Sequence, residues 1–236
     1  MADSLKRPGI LIKNRITLFF INMKKHIAAS SSLLLSLLFI IIFIVPLSSA
    51  ELQKPLFTIC FTFIFVLSAF SVTILQERIA VFAVGVIIIE WVSLILNLQV
   101  IYSLSFPIKF LFFLLVLMIL IVQIAKAKTV TLVVLLQSIN VYLLLGLTFS
   151  IMVALLESIY PGSFNFQLGG DLLKKTGTFR SDFVYFTFVS FTSTGYGDFL
   201  PVTQAAKSLA ILISITGQLY LAIIIAMLVG KYSSKS

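Results

Sequence analysis

One short run of this chain has residue types that only an unusual backbone requires: Thr192-Ser193-Thr194-Gly195-Tyr196-Gly197-Asp198. Successive carbonyls can face one side only if the chain alternates conformations that ordinary residues resist, and glycine visits left-handed regions without a Cβ penalty. Gly195 and Gly197 meet that need, so the run can offer a row of backbone oxygens to a cation. Covalent chemistry finds little elsewhere. His26 and Cys60 are the single histidine and single cysteine, far apart, so they form no nucleophile–base pair, no thiolate metal cluster and no intrachain disulfide. An enzyme is not expected, nor a cofactor.

The run needs elements that hold it. Before it, Phe183 to Phe191 is apolar but too short to cross a bilayer, and reads as a re-entrant helix. Ser181 is placed to cap its N-terminus and Asp182 suits its first turn, while its C-terminal dipole end favours a cation. After it, beyond Pro201, a last apolar segment spans 203–230. Irregular backbone at membrane depth is tolerated only where it is buried in protein or lines a cavity.

Composition demands the bilayer. Of 236 residues 60% are hydrophobic and 11% charged, with mean hydropathy +1.17, more apolar surface than a soluble core of this length can hide. About 20 mostly apolar residues make a crossing, and six segments qualify: 33–50, 56–75, 79–101, 104–125, 129–156 and 203–230. Their punctuation is Glu51 to Pro55, Gln76 to Arg78, Ser103 to Pro107, Lys126 to Lys128, and the polar stretch from Glu157. The fold expected is therefore an all-α membrane protein of six transmembrane helices plus the re-entrant helix. The start, rich in Lys6, Arg7, Lys13, Arg15, Lys24 and Lys25, does not read as a cleavable signal peptide, although Ile10 to Met23 has some character of an interfacial helix. A cytoplasmic N-terminus collects those charges with Arg78, Lys126, Lys128, Lys231 and Lys235 on one side, against Asp3 and Glu77. The excess of 17 Lys and Arg over 8 Asp and Glu thus belongs to loops beside anionic lipid, and no nucleic-acid partner is expected.

With these residues in view, Ser193-Thr194-Gly195-Tyr196-Gly197-Asp198 and the helices flanking it resemble the potassium-channel family. The resemblance implies a homotetramer, each chain giving one quarter of the pore. It also implies that carbonyls of Ser193, Thr194, Gly195 and Tyr196 replace the water around a permeant K⁺, with the Ser193 hydroxyl at the innermost site. Tyr196 would point backward to brace the filter. Ser193 and Thr194 stand where threonine and valine are usual, which puts the innermost site and its selectivity in question. Phe186 replaces a tryptophan that bonds the filter tyrosine in many relatives, and Val189 a glutamate that pairs with the aspartate, so a more apolar filter surround is expected.

The same alignment makes Gly217 a hinge of the inner helix, with close packing as the alternative, since Ala206, Ala210, Ser214, Gln218, Ala222, Ala226 and Gly230 recur every four residues. Gln218, Leu221, Ile225 and Val229 fall on the pore-facing side, and rings of Ile225 and Val229 would close by dewetting. The first four helices resemble a voltage-sensor domain in number and place but lack its repeated arginines, so strong voltage dependence is not expected. Glu90 is the one acid deep in these segments: a functional candidate, or a carboxyl kept neutral or paired with Lys109 or Arg78. The expected organisation is a basic segment 1–32, a four-helix membrane domain 33–128, a pore domain 129–230 and a tail 231–236 without a ligand-binding domain, leaving gating to the membrane part or a separate regulatory protein. The whole is most similar to short six-helix bacterial channel proteins with a Gly-Gln-Leu-Tyr-Leu-Ala run, here at 217–222.

Overall fold

A computed structural model describes residues 28–72, 76–96, 99–166 and 181–233. The basic segment through residue 27 with its interfacial stretch Ile10 to Met23, the loop glycines Gly169 and Gly170, and residues 234–236 lie outside them. The described residues form helices α1 (Ala28–Leu47), α2 (Ala50–Ser71), α3 (Gln76–Ile95), α4 (Gln99–Lys126), α5 (Leu132–Ile159), α6 (Ser181–Phe191) and α7 (Gln204–Ser233), with short strands β1 (Phe164–Phe166) and β2 (Phe199–Pro201). Among them α1, α2, α4, α5 and α7 are long and apolar enough to cross a membrane. The crossing expected at 79–101 overlaps α3, which ends at Ile95 and is not among those five.

Two expected boundaries move. Helix α1 takes in Ala28 to Ser32, ahead of the expected start at 33. The break placed at Ser103 to Pro107 is not there: α3 stops at Ile95, and α4 starts at Gln99 and runs through Pro107. A proline inside a helix loses one hydrogen bond and crowds the carbonyl four residues back, but in a membrane bundle neighbouring helices and hydroxyl side chains absorb that loss. At Pro46 the chain answers differently. Helix α1 widens into a π turn over Ile40–Ile44, closed by the Val45 N–H on the Ile40 carbonyl, and then tightens into a 3₁₀ turn over Val45–Leu47. The wide turn gives the proline ring room against the preceding turn.

The core of the first four helices is aromatic. Phe57, Phe61 and Phe65 recur at helical spacing on α2; Phe61 meets Phe113 of α4 and Phe65 meets both Phe112 and Phe113, edge-on to Phe112 at 4.9 Å between centroids. Within this core Lys109 Nζ donates to Glu90 Oε1 at 2.8 Å, both side chains 1% exposed. The ammonium also lies 5.4 Å from the centre of the Phe61 ring and 5.5 Å from that of Phe106. Of the two partners the sequence offered Glu90, Lys109 takes it.

Helix α5 joins this bundle to α6 and α7. Residues 127–131 connect α4 to α5, Thr131 accepts from the Val134 N–H as N-cap, and the two helices then pack side by side. Asn140 Nδ2 donates to the Ser31 carbonyl at 2.8 Å, fixing α5 to α1. At the other end of α5 the Glu157 carboxylate accepts from the Gly162 and Phe164 N–H groups at 2.8 and 3.2 Å. That loop leads into β1, which pairs antiparallel with β2 in the register Phe164↔Pro201, Asn165↔Leu200, Phe166↔Phe199. The strap ties the chain before α6 to the chain after Asp198.

Candidate functional site

Helix α6 sits against α5 and α7, and small residues let it come close. At Gly146 of α5 a Cβ would stand 2.5 Å from Phe188 Cζ. At Gly217 of α7 it would strike the Phe191 carbonyl oxygen and lie 2.9 Å from the carbonyl carbon. Ser214 Oγ donates to the Ser190 carbonyl at 3.0 Å, and the Phe191 ring packs 4.8 Å from Tyr142. Gly217 is thus a contact point between a continuous α7 and the end of α6. The buried face of α7 is Ala206, Leu209, Ile213 and Gly217, whereas Ala222, Ala226 and Gly230 of the four-residue row stay exposed. Ser181 is the first described residue of α6, and its hydroxyl donates to Gln53 Oε1 of α2 at 3.1 Å.

The chain leaves α6 by bonding back onto it. Thr192 N–H reaches the Phe188 carbonyl, Ser193 N–H that of Ser190, and the Thr194 and Gly195 N–H groups share that of Val189, at 2.9 to 3.3 Å. With the first donors tethered, the backbone turns left-handed at every second residue: φ is 57° at Ser193, 56° at Gly195 and 80° at Gly197. Left-handed backbone thus recurs at alternate positions of the run. Glycine meets it freely. Ser193, the one non-glycine residue with positive φ among the described residues, bears a strain of about 1–2 kcal/mol, and a β-branched residue there would bear more. Thr192 and Thr194 hydroxyls lie 2.8 Å apart, and Thr192 Oγ1 also donates to the Phe188 carbonyl.

One polar contact beside the run comes from a residue that the sequence reading did not single out. Tyr185 of α6 donates its hydroxyl to Asp198 Oδ2 at 2.6 Å, its ring edge-on to Phe199, while Asp198 Oδ1 accepts from the Phe199 N–H. The hydrogen bond to Asp198, with lesser help from desolvation and the nearby negative charge, pushes the Tyr185 phenol up to about 12. A tyrosine in an apolar helix carries a hydroxyl that needs a partner, and that was the available signal. Tyr196 is 72% exposed in the single chain. It lines, with Tyr185, Val189 and Thr194, a groove of about 590 Å³ reaching to Ile42, Phe43 and Pro46 of α1.

Helix α7 presents Gln218, Ile225 and Val229 exposed and Leu221 half-buried. Only 11% of its span is covered by the chain itself, against 67% of α5. Tyr220, by contrast, is anchored, its hydroxyl donating to the Ser138 carbonyl of α5 at 2.7 Å.

No curated protein and no solved structure matches the chain. The profile of the family described as "Ion channel" matches residues 129–233, from the connector before α5 to the end of α7. The short helix, the left-handed run and the two long helices that bracket them all lie within that match, which makes this part of the chain similar to ion channels.

Proposed function

We propose that four copies of this chain surround one pore and conduct K⁺ passively, with Thr192 to Asp198 as the selectivity filter. The observation that carries the reading is the alternation of left-handed backbone at Ser193, Gly195 and Gly197 directly after the C-terminus of α6. Carbonyls of Ser193, Thr194, Gly195 and Tyr196 replace the hydration shell of K⁺, and the dipole of α6 favours the cation. The sparse covering of α7 within one chain supports assembly, because an apolar helix face gains from meeting a copy of itself. In this arrangement Gln218 makes the cavity polar near the filter, and Leu221, Ile225 and Val229 make it apolar toward the cytoplasm, where rings of the last two close the path by dewetting. Gly217 serves close packing, and any bend of α7 there carries the Phe191 contact with it. The protein lies in the cell membrane with both termini cytoplasmic, and with Lys109 as the one basic residue within the apolar part of α4 it responds weakly to voltage.

The test is ion flux in liposomes holding the purified chain. K⁺ should pass far better than Na⁺, barium should block, and Gly197→Ala, which forces a side chain onto φ 80°, should abolish flux. Equal K⁺ and Na⁺ currents would make it a poorly selective cation channel, the reading that Ser193 and Thr194 favour. A stable monomer without flux would make it a modulatory subunit.

A further inference from the structure

Below Gly217 no described residue of α7 is fully buried, yet the end of the helix is not loose. Lys231 Nζ donates to the carbonyls of Ile124 and Ala125 at 3.0 and 2.9 Å. Both belong to the last turn of α4, where helix carbonyls run out of intrahelical donors and where the dipole is negative. Lys231 therefore closes the C-terminus of a helix in the four-helix domain from the far end of α7, two residues past Val229. We propose that Lys231 is a latch between the four-helix domain and the gate, and that the latched state is the conducting one.

The direction comes from the packing order. The main partner of α4 in the pore module is α5, and α5 in turn carries α6 and α7. In a fourfold assembly with the filter on its axis, α4 lies outside the pore module. A bond from Lys231 to α4 pulls the end of α7 away from the axis and separates the Ile225 and Val229 rings. The upper half of α7 stays in place, held by Ser214 on Ser190, by Gly217 on Phe191 and by Tyr220 on Ser138. Movement at the α4 terminus is thus passed to the gate without passing through the filter, and Lys231 is a positioning residue, remote from the ion.

This inference rests on the conducting pore proposed above, and the experiment separates the two. Single channels of the full chain are recorded in planar bilayers with symmetrical KCl. Lys231→Met should lower the open-to-closed ratio about tenfold, as loss of a charge-assisted hydrogen bond implies, at unchanged unitary conductance and ion preference. Lys231→Arg should restore most of it. In a Cys60→Ala background, Ala125→Cys with Lys231→Cys bridged by a short bismaleimide should hold the channel open. An unchanged ratio in Lys231→Met, an Arg variant as impaired as Met, or a bridged channel that still closes would each overturn the latch. Silence of the wild-type chain would instead overturn the pore reading.

Discussion

The hydroxyl of Tyr185 and the carboxylate of Asp198 meet at 2.6 Å, joining the middle of the short helix α6 to the residue that ends the filter run. The left-handed run is thus held at its far end as well as at its start on Val189 and Ser190. Tyr185→Phe keeps the ring and its contact with Phe199 but removes the tie. Macroscopic K⁺ current from this variant is expected to decay several-fold faster after opening, at unchanged K⁺ preference. Decay as slow as in the wild type would mean that Asp198 is held by other contacts.

The same pair has a pH signature with a definite sign. The donor is the neutral phenol, held up to about 12, above the ordinary value for tyrosine. Its contribution is therefore complete below about pH 10 and lost as pH climbs through the raised value. Current decay should not change through this contact between about pH 7 and about pH 9, and the acceleration seen in Tyr185→Phe should emerge in the wild type only at strongly alkaline pH.

Two glycines of α7 should part company. A methyl at Gly217 meets the backbone of Phe191, and overpacking of this kind costs about 1–3 kcal/mol. At Gly230 a Cβ meets nothing within 4 Å, so Gly230→Ala should be neutral or stabilising by up to about 1 kcal/mol. Thermal unfolding of both variants in detergent measures the difference, and equal midpoints would contradict the contact.

The buried Glu90–Lys109 pair gives a third comparison. Breaking it from one side by Glu90→Gln or Lys109→Met strands a group inside an aromatic core, a loss of about 3–5 kcal/mol, while replacing both by apolar residues returns much of that. Each single variant should unfold at a markedly lower temperature than the chain with Glu90→Leu and Lys109→Met together. Additive losses would show that the two charges do not depend on each other.

At the filter, Ser193→Ala keeps the backbone carbonyl and removes the hydroxyl proposed for the innermost site. K⁺ should still pass, with barium block weakened about tenfold for the loss of one oxygen ligand from each chain. Block as strong as in the wild type would remove the hydroxyl from the ion path.

The left-handed backbone was readable from Gly195 and Gly197 because it has few residue solutions, and the ends of α7 because a long apolar run between polar flanks leaves little choice. Tyr185 was not legible beside its apolar neighbour Phe186. A tyrosine within an apolar helix reads as core until the fold brings its hydroxyl to an acceptor 13 residues away. The division between α3 and α4 was misplaced because Pro107 announces a break that the surrounding bundle repairs, while α3 ends at Ile95, with no proline or glycine nearby to mark it. Gly217 was ambiguous in principle, since a bend and a close approach ask for the same missing side chain, and only the position of the Phe191 carbonyl favours the second. Lys231 read as one more positive charge on the cytoplasmic side; nothing in the spacing ties it to residues more than 100 positions earlier.

The connector 127–131 has a consequence for manufacture and failure. Five extended residues reach about 17 Å, and α4 lies directly against α5 of its own chain, so no helix has to be lent to a neighbour for the first four to be complete. In the tetramer proposed above, each chain would mature in the bilayer as a finished wedge and meet the other three late, by lateral diffusion. In that proposed assembly, damage to the peripheral helices of one copy would stay inside one wedge, and mixed assemblies of sound and defective copies should lose function in steps, one quarter at a time.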